Sequence, residues 1–213
     1  MPRLIDWGVR YDLIREAVVR IAARRGAEAV TIDSVATELK LHPSTLRRAL
    51  SSPDVLRAMG VAWIVRRRGA RLYLRGRGTH EYGSVEHLSW ALQMYLPLDE
   101  DDLEHERAWK ELTTAGMDEQ SARHRQNWDE ALDKLIDQVL GMLGTEPTSR
   151  PQLSVQLRAL IDGLISALCR SDITSDQAIE CVEATLRQLP LVPELRPSEP
   201  EPRIKPVVGG SPR

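Results

Sequence analysis

The residues best equipped to do chemistry stand in one short stretch, His42-Pro43-Ser44-Thr45-Leu46-Arg47-Arg48. Pro43 suits the first position of a helix, because its missing N–H would have no partner there anyway. Ser44 and Thr45 then set hydroxyls at the helix N-terminus, where phosphate is favoured. Arg47 and Arg48 add forked guanidiniums that fit guanine edges or phosphate oxygens. That is recognition chemistry. For catalysis the chain offers no Ser or Cys nucleophile with a recognisable base, no Gly-rich phosphate loop and no paired acid motif. His80-Glu81 with His87, and His105 between Glu104 and Glu106, are the only His/carboxylate groupings, and neither has the i, i+4 geometry of a two-ligand metal motif. The expectation is a binding protein, not an enzyme, with no metal and no cofactor.

The stretch needs a scaffold, and the residues before it supply one. Thr31 can cap a helix over about 32–39, in which Ile32, Val35, Ala36 and Leu39 form one apolar face. A short turn carrying Leu41 leads into a second helix, over about 43–50, with Leu46 and Leu50 turned inward. Two short helices so joined form a helix-turn-helix, which presents its second helix to a DNA major groove. The candidate DNA-contacting residues are Thr31, His42, Pro43, Ser44, Thr45, Arg47 and Arg48. Charge agrees. Residues 1–80 hold 16 Lys and Arg against 7 Asp and Glu, a formal +9, while the remainder holds 13 against 24, a formal −11. A basic end on an acidic body is the pattern of a chain whose one end meets a polyanion.

Apolar residues recur at helical spacing almost throughout, and no run alternates as a strand does, so the expected class is all-α with about nine helices. Besides the pair above, helices are expected over about 11–25, 53–74, 84–96, 100–114, 118–143, 151–170 and 175–189, with a glycine-bearing loop over 75–83. Gly26 is a C-cap candidate for the first. The division follows: a DNA-binding domain over 1–52, a larger helical domain over 53–189, and a tail over 190–213 whose seven prolines cannot continue a helix. No stretch is apolar enough to span a membrane, and Cys169 and Cys181 alone suggest no disulfide framework, so a cytoplasmic location is expected.

The approach helix, Ala23-Arg24-Arg25-Gly26, the run Val30-Thr31-Ile32-Asp33-Ser34-Val35-Ala36 and Thr45-Leu46 resemble the DNA-binding domain of the tetracycline-repressor (TetR) family over roughly residues 10–60. The resemblance implies a homodimer, a palindromic operator, and a ligand pocket in each C-terminal domain whose occupation releases DNA. Four positions depart from the family pattern. Its turn glycine is Lys40 here, which places a Cβ where positive φ is needed. Its recognition-helix aromatics are Arg47 and Leu50, and its phosphate-facing lysine is Pro53.

Further candidates lie in the larger domain. Arg68 and Leu72 on the fourth helix, His87, Trp90 and Met94 on the fifth, Trp109 and Thr113 on the sixth and Trp128 on the seventh offer aromatics with a few polar groups. Such a set suits a small apolar or aromatic effector. On the last two helices Leu157, Leu160, Gly163, Leu164, Ala167, Leu168, Val182 and Leu186 form broad apolar and small-residue faces. In the resembling family these helices build a four-helix dimer interface. The fourth helix, following the recognition helix directly, is the expected mechanical link. The function expected is a dimeric repressor released from operator DNA by a small molecule. The alternative is a DNA-binding regulator without such a ligand, dimerising through its last helices or controlled by a protein partner.

Overall fold

The computed structural model describes residues 7–50, 52–75, 84–115 and 119–189, with the side chains of 7–10 and 72–75 outside that description. The described residues form nine α-helices and no strand: α1 (Trp7–Arg25), α2 (Ile32–Glu38), α3 (Pro43–Arg47), α4 (Pro53–Arg75), α5 (Val85–Gln93), α6 (Glu100–Thr114), α7 (Glu119–Met142), α8 (Arg150–Cys169) and α9 (Ser175–Arg187). Side chains set the starts. Thr31 and Thr174 cap α2 and α9 in reciprocal boxes with Ser34 and Gln177, and Ser84 and Asp99 cap α5 and α6.

Most ends fall where the sequence places them, with instructive exceptions. α1 begins earlier than expected, at Trp7. A one-turn 3-10 helix, Ala27–Ala29, follows it. Gly26 makes that junction at φ 83° and ψ 165°, a backbone region open in practice to glycine alone. α3 stops at Arg47 because the N–H groups of Ala49 and Leu50 both converge on the Leu46 carbonyl, folding the chain back so that Leu50 is buried. α5 is shorter than expected, Met94 and Tyr95 turning away after Gln93. Of the loop expected over 75–83, Arg75 is instead the last residue of α4, and the remainder, like the proline-rich tail, lies outside the described residues.

Two apolar cores result. The first joins α1, α2 and α3 to the first half of α4 through Leu56, Val61, Trp63 and Ile64, and takes in Ala108 and Leu112 of α6. The second joins α5, α7, α8 and α9 around Leu92, Leu96, Ile136, Leu140, Leu157 and Ile161. The helix-turn-helix is therefore seated on α4 and α6 rather than tethered by a linker. Gly60 makes the seat possible: a Cβ there would lie 2.7 Å from Val18 Cγ1 and 3.0 Å from Leu112 Cδ1, so three helices approach at its backbone.

Candidate DNA-binding face and effector region

The turn between α2 and α3 is a Schellman motif. Leu41 N–H donates to Ala36 O at 2.8 Å and Lys40 N–H to Thr37 O at 3.1 Å, with Lys40 at φ 54°. The strained position expected at Lys40 is thus occupied, and the motif closes without the family's glycine. From it α3 emerges with Leu46 buried and with His42, Ser44, Arg47 and Arg48 exposed, while Pro43 and Thr45 are half-buried. Thr31 is spent on its cap, accepting from Ser34 N–H at 3.0 Å. His42 caps α3: its Nδ1 accepts from Ser44 N–H at 3.3 Å and lies 2.8 Å from the Ser44 hydroxyl.

The two arginines of this face are not equivalent. Arg47 Nη2 donates to both carboxylate oxygens of Asp33, at 2.8 and 3.0 Å, which braces the guanidinium across the hairpin. The Arg48 guanidinium makes no hydrogen bond or ion pair among the described residues. Much of the basic charge behind them is likewise paired internally: Arg57 with Glu28 and Asp54, Arg66 with Asp12, Arg67 with Glu16, and Arg24 with Glu104. Pairs with acids of the same segment are already netted in the formal +9, and only those with acids beyond residue 80, such as Arg24 with Glu104, lower what the segment presents to a polyanion. The described cations there without an ion pair are Arg25, Lys40 and Arg48.

In the larger domain three predicted effector residues come together. The Arg68 guanidinium of α4 lies 4.2 Å from the centroid of the Trp109 ring and 4.9 Å from that of Trp128. Its Nε donates to Glu106 Oε1 at 2.9 Å and its Nη2 to Glu106 Oε2, and both residues are only 5 % exposed. One turn on, Arg71 pairs with Asp102 at 2.9 Å and reaches the Tyr95 carbonyl at 3.4 Å. Tyr95 in turn stands 5.1 Å from the Trp128 ring, and its burial raises the phenol above its usual pKa. Arg71 stands outside the predicted set, and so do Asp102 and Glu106. Their signal was present in the sequence as carboxylates on α6 one turn apart, but helical spacing alone does not say that two of them face inward.

The other candidates lie apart. His87 is buried and stacks on Trp90 at 5.7 Å between centroids. Trp90 lines a groove of about 440 Å³ between α5 and α9, with Val85, Glu86, Ser89, Gln93, Glu183, Leu186 and Arg187. Met94 is half-buried beyond the end of α5, and the Thr113 hydroxyl is turned back onto the Trp109 carbonyl at 2.8 Å. Leu72 lies among the side chains outside the description.

The apolar faces of α8 and α9 correct one expectation. Leu157, Leu164, Leu168, Val182 and Leu186 are already buried within the single chain, packed in its second core, so a second copy is not needed to cover them. What α8 turns outward is Ala159 and Gly163, with Val155 69 % exposed, while Leu160 and Ala167 are half-covered. No atom lies within 4 Å of a Cβ built at Gly163. α9 contributes half-buried Cys181 and Ala184.

An exposed basic recognition helix, seated on a long helix that runs into a separate helical core, defines a helix-turn-helix transcriptional regulator. Residues 84–190 match the family described as BetI-type transcriptional repressor, C-terminal. The chain belongs to the TetR family of transcriptional regulators. No curated protein matches the sequence. Among solved structures it is similar to a TetR-like transcriptional regulator from Rhodococcus sp. RHA1, at TM-score 0.68 and 19 % identity over 88 % of this chain and 96 % of that one. A transcriptional regulator from Saccharomonospora viridis, solved in complex with choline, aligns at 0.68 and 18 % over 85 % and 97 %. The fatty acid degradation regulator of Bacillus halodurans aligns at 0.57 and 13 % over 83 % and 94 %. Among the described residues no helix is long and apolar enough to cross a membrane.

Proposed function

We propose that the protein is a homodimeric, cytoplasmic repressor that binds a palindromic operator through residues 1–52 and is released by a small apolar or aromatic molecule bound within residues 53–189. The observation that carries this reading is the path of α4. It begins five residues after the free Arg48 and ends beyond Arg68, which is ion-paired to α6 and stacked between the indoles of α6 and α7. A molecule that rearranges that cluster acts on the helix on which the reading head sits. Two recognition helices must stand about 34 Å apart to enter successive major grooves, so a small tilt of α4 in each copy is enough to spoil the fit. Support for a ligand comes from the neighbours, one holding choline and another named for fatty acid degradation. Support for self-association comes from the outward Val155–Ala159–Gly163–Ala167 strip of α8, beside Cys181 and Ala184 of α9, where small residues permit close helix approach.

Selection of a duplex from a randomised pool, followed by binding over a salt series, tests the reading. We expect an inverted repeat and a steep loss of affinity with salt, with a log–log slope of about 0.9 per neutralised phosphate. Failure to enrich any repeat overturns it.

A further inference from the structure

The space between α4, α6 and α7 is constructed like a site for an organic cation, and the chain occupies it with its own side chain. Two indole faces and a carboxylate are the groups that hold a quaternary ammonium or guanidinium ion. Here Trp109, Trp128 and Glu106 surround Arg68, with ring centroids 4.2 and 4.9 Å from its Cζ and with Glu106 engaged through both oxygens. A cationic ligand can enter only by expelling a guanidinium that is 95 % buried, leaving Glu106 without its partner.

What the cluster lacks is an acceptor. Arg68 Nη1 and Arg71 Nε are both buried and have no hydrogen-bond partner. They belong to residues three apart on α4 and therefore to one face of the helix. Glu106 Oε1 and Oε2 accept from Arg68 Nε and Nη2, and Asp102 Oδ2 and the Tyr95 carbonyl are engaged by the Arg71 terminal nitrogens, so none of these contacts is made by Arg68 Nη1 or Arg71 Nε. Buried N–H groups are satisfied in native proteins almost without exception, so this pair asks for an oxygen.

We infer that the effector presents an oxygen acceptor, a carboxylate or an amide-type carbonyl on an apolar body, to Arg68 Nη1 and Arg71 Nε, and that the cation position is closed to quaternary ammonium ligands. The chemistry is opposite to that of the choline-bound neighbour although the folds align. This inference rests on the ligand-responsive reading above.

The test uses the full chain and three probes of equal tail length: octanoate, octanamide and octyltrimethylammonium, followed by tryptophan fluorescence and thermal shift. An acceptor probe should bind at least roughly tenfold more tightly than the ammonium, and Arg71→Met should weaken it by a similar factor. Equal or tighter ammonium binding, or no binding by either acceptor probe, overturns the inference. A second arm empties the cage. Arg68→Ala should gain stabilisation by tetramethylammonium or methylguanidinium that the parent protein does not show. A folded variant that gains nothing overturns the cage; one that does not fold leaves the first arm to decide. Operator affinity is measured in parallel. A probe that binds without altering it leaves the subsite standing and removes the ligand-responsive reading instead.

Discussion

Removing the Glu106 carboxylate should be among the most damaging single changes available in this chain. Glu106 and Arg68 are each 5 % exposed, share two hydrogen bonds, and tie α6 to α4 beneath two indoles. Glu106→Leu leaves a guanidinium buried with no counter-ion, which costs about 3–5 kcal/mol. Against a whole-domain stability of about 5–15 kcal/mol, that is at least about a fifth of the total. Arg68→Met strands the carboxylate instead and also forfeits the cation–π contacts, worth about 2 kcal/mol when desolvated. The pair Arg68→Met with Glu106→Leu strands neither charge, so it should recover most of what either single change loses. Urea unfolding of the three variants and the parent, at one fixed protein concentration, gives the coupling directly. If Glu106→Leu costs less than about 1 kcal/mol, or if the double variant loses the sum of the singles, the buried-pair account is wrong.

Smaller effects follow from individual positions. Lys40 sits at φ 54° in a motif that favours glycine, so Lys40→Gly should raise stability by about 1 kcal/mol in the same urea assay. Gly163→Glu should leave the single-chain core intact, since open space surrounds its Cβ, yet shift the protein toward monomer in sedimentation; a dimer of unchanged affinity would place the interface elsewhere. Burial raises the Tyr95 phenol, so the unfolded chain gives up that proton first. Stability should then fall as pH rises past about 10 until the folded phenol itself ionises, and Tyr95→Phe should flatten that fall.

Helix positions were largely legible in the sequence because caps and periodicity are local. Thr31, Ser84, Asp99 and Thr174 each stand one residue before a helix and each accepts a backbone N–H of its first turn. Partners are not local, and there the sequence misleads. The periodicity of Leu157, Leu164 and Leu168 marks a face that must be covered, but α7 and a second copy of α8 would mark it identically. Only the packed chain decides for the former. Charge behaved the same way. Counting gives Arg47 and Arg48 equal standing, whereas folding brings Asp33 from α2 to within 2.8 Å of one and leaves the other free. Arg68 was recognisable as a cation on the inner face of α4, but its carboxylate partner lies 38 residues on and no spacing rule connects them.

The central claim, that the exposed face of α3 reads DNA, is tested most directly by the affinity of Arg48→Ala for the duplex selected by the parent protein. Arg48 is exposed and unpaired among the described residues, so its removal should leave folding unchanged. Operator affinity should fall by about 1–3 kcal/mol if it reads a base, with relaxed preference at one base pair. Arg47→Ala, measured beside it, also uncovers the Asp33 carboxylate, which repels phosphate, and should respond to Asp33→Asn where Arg48→Ala does not. Unchanged affinity and sequence preference in both arginine variants would contradict the account and move the DNA contact to another surface.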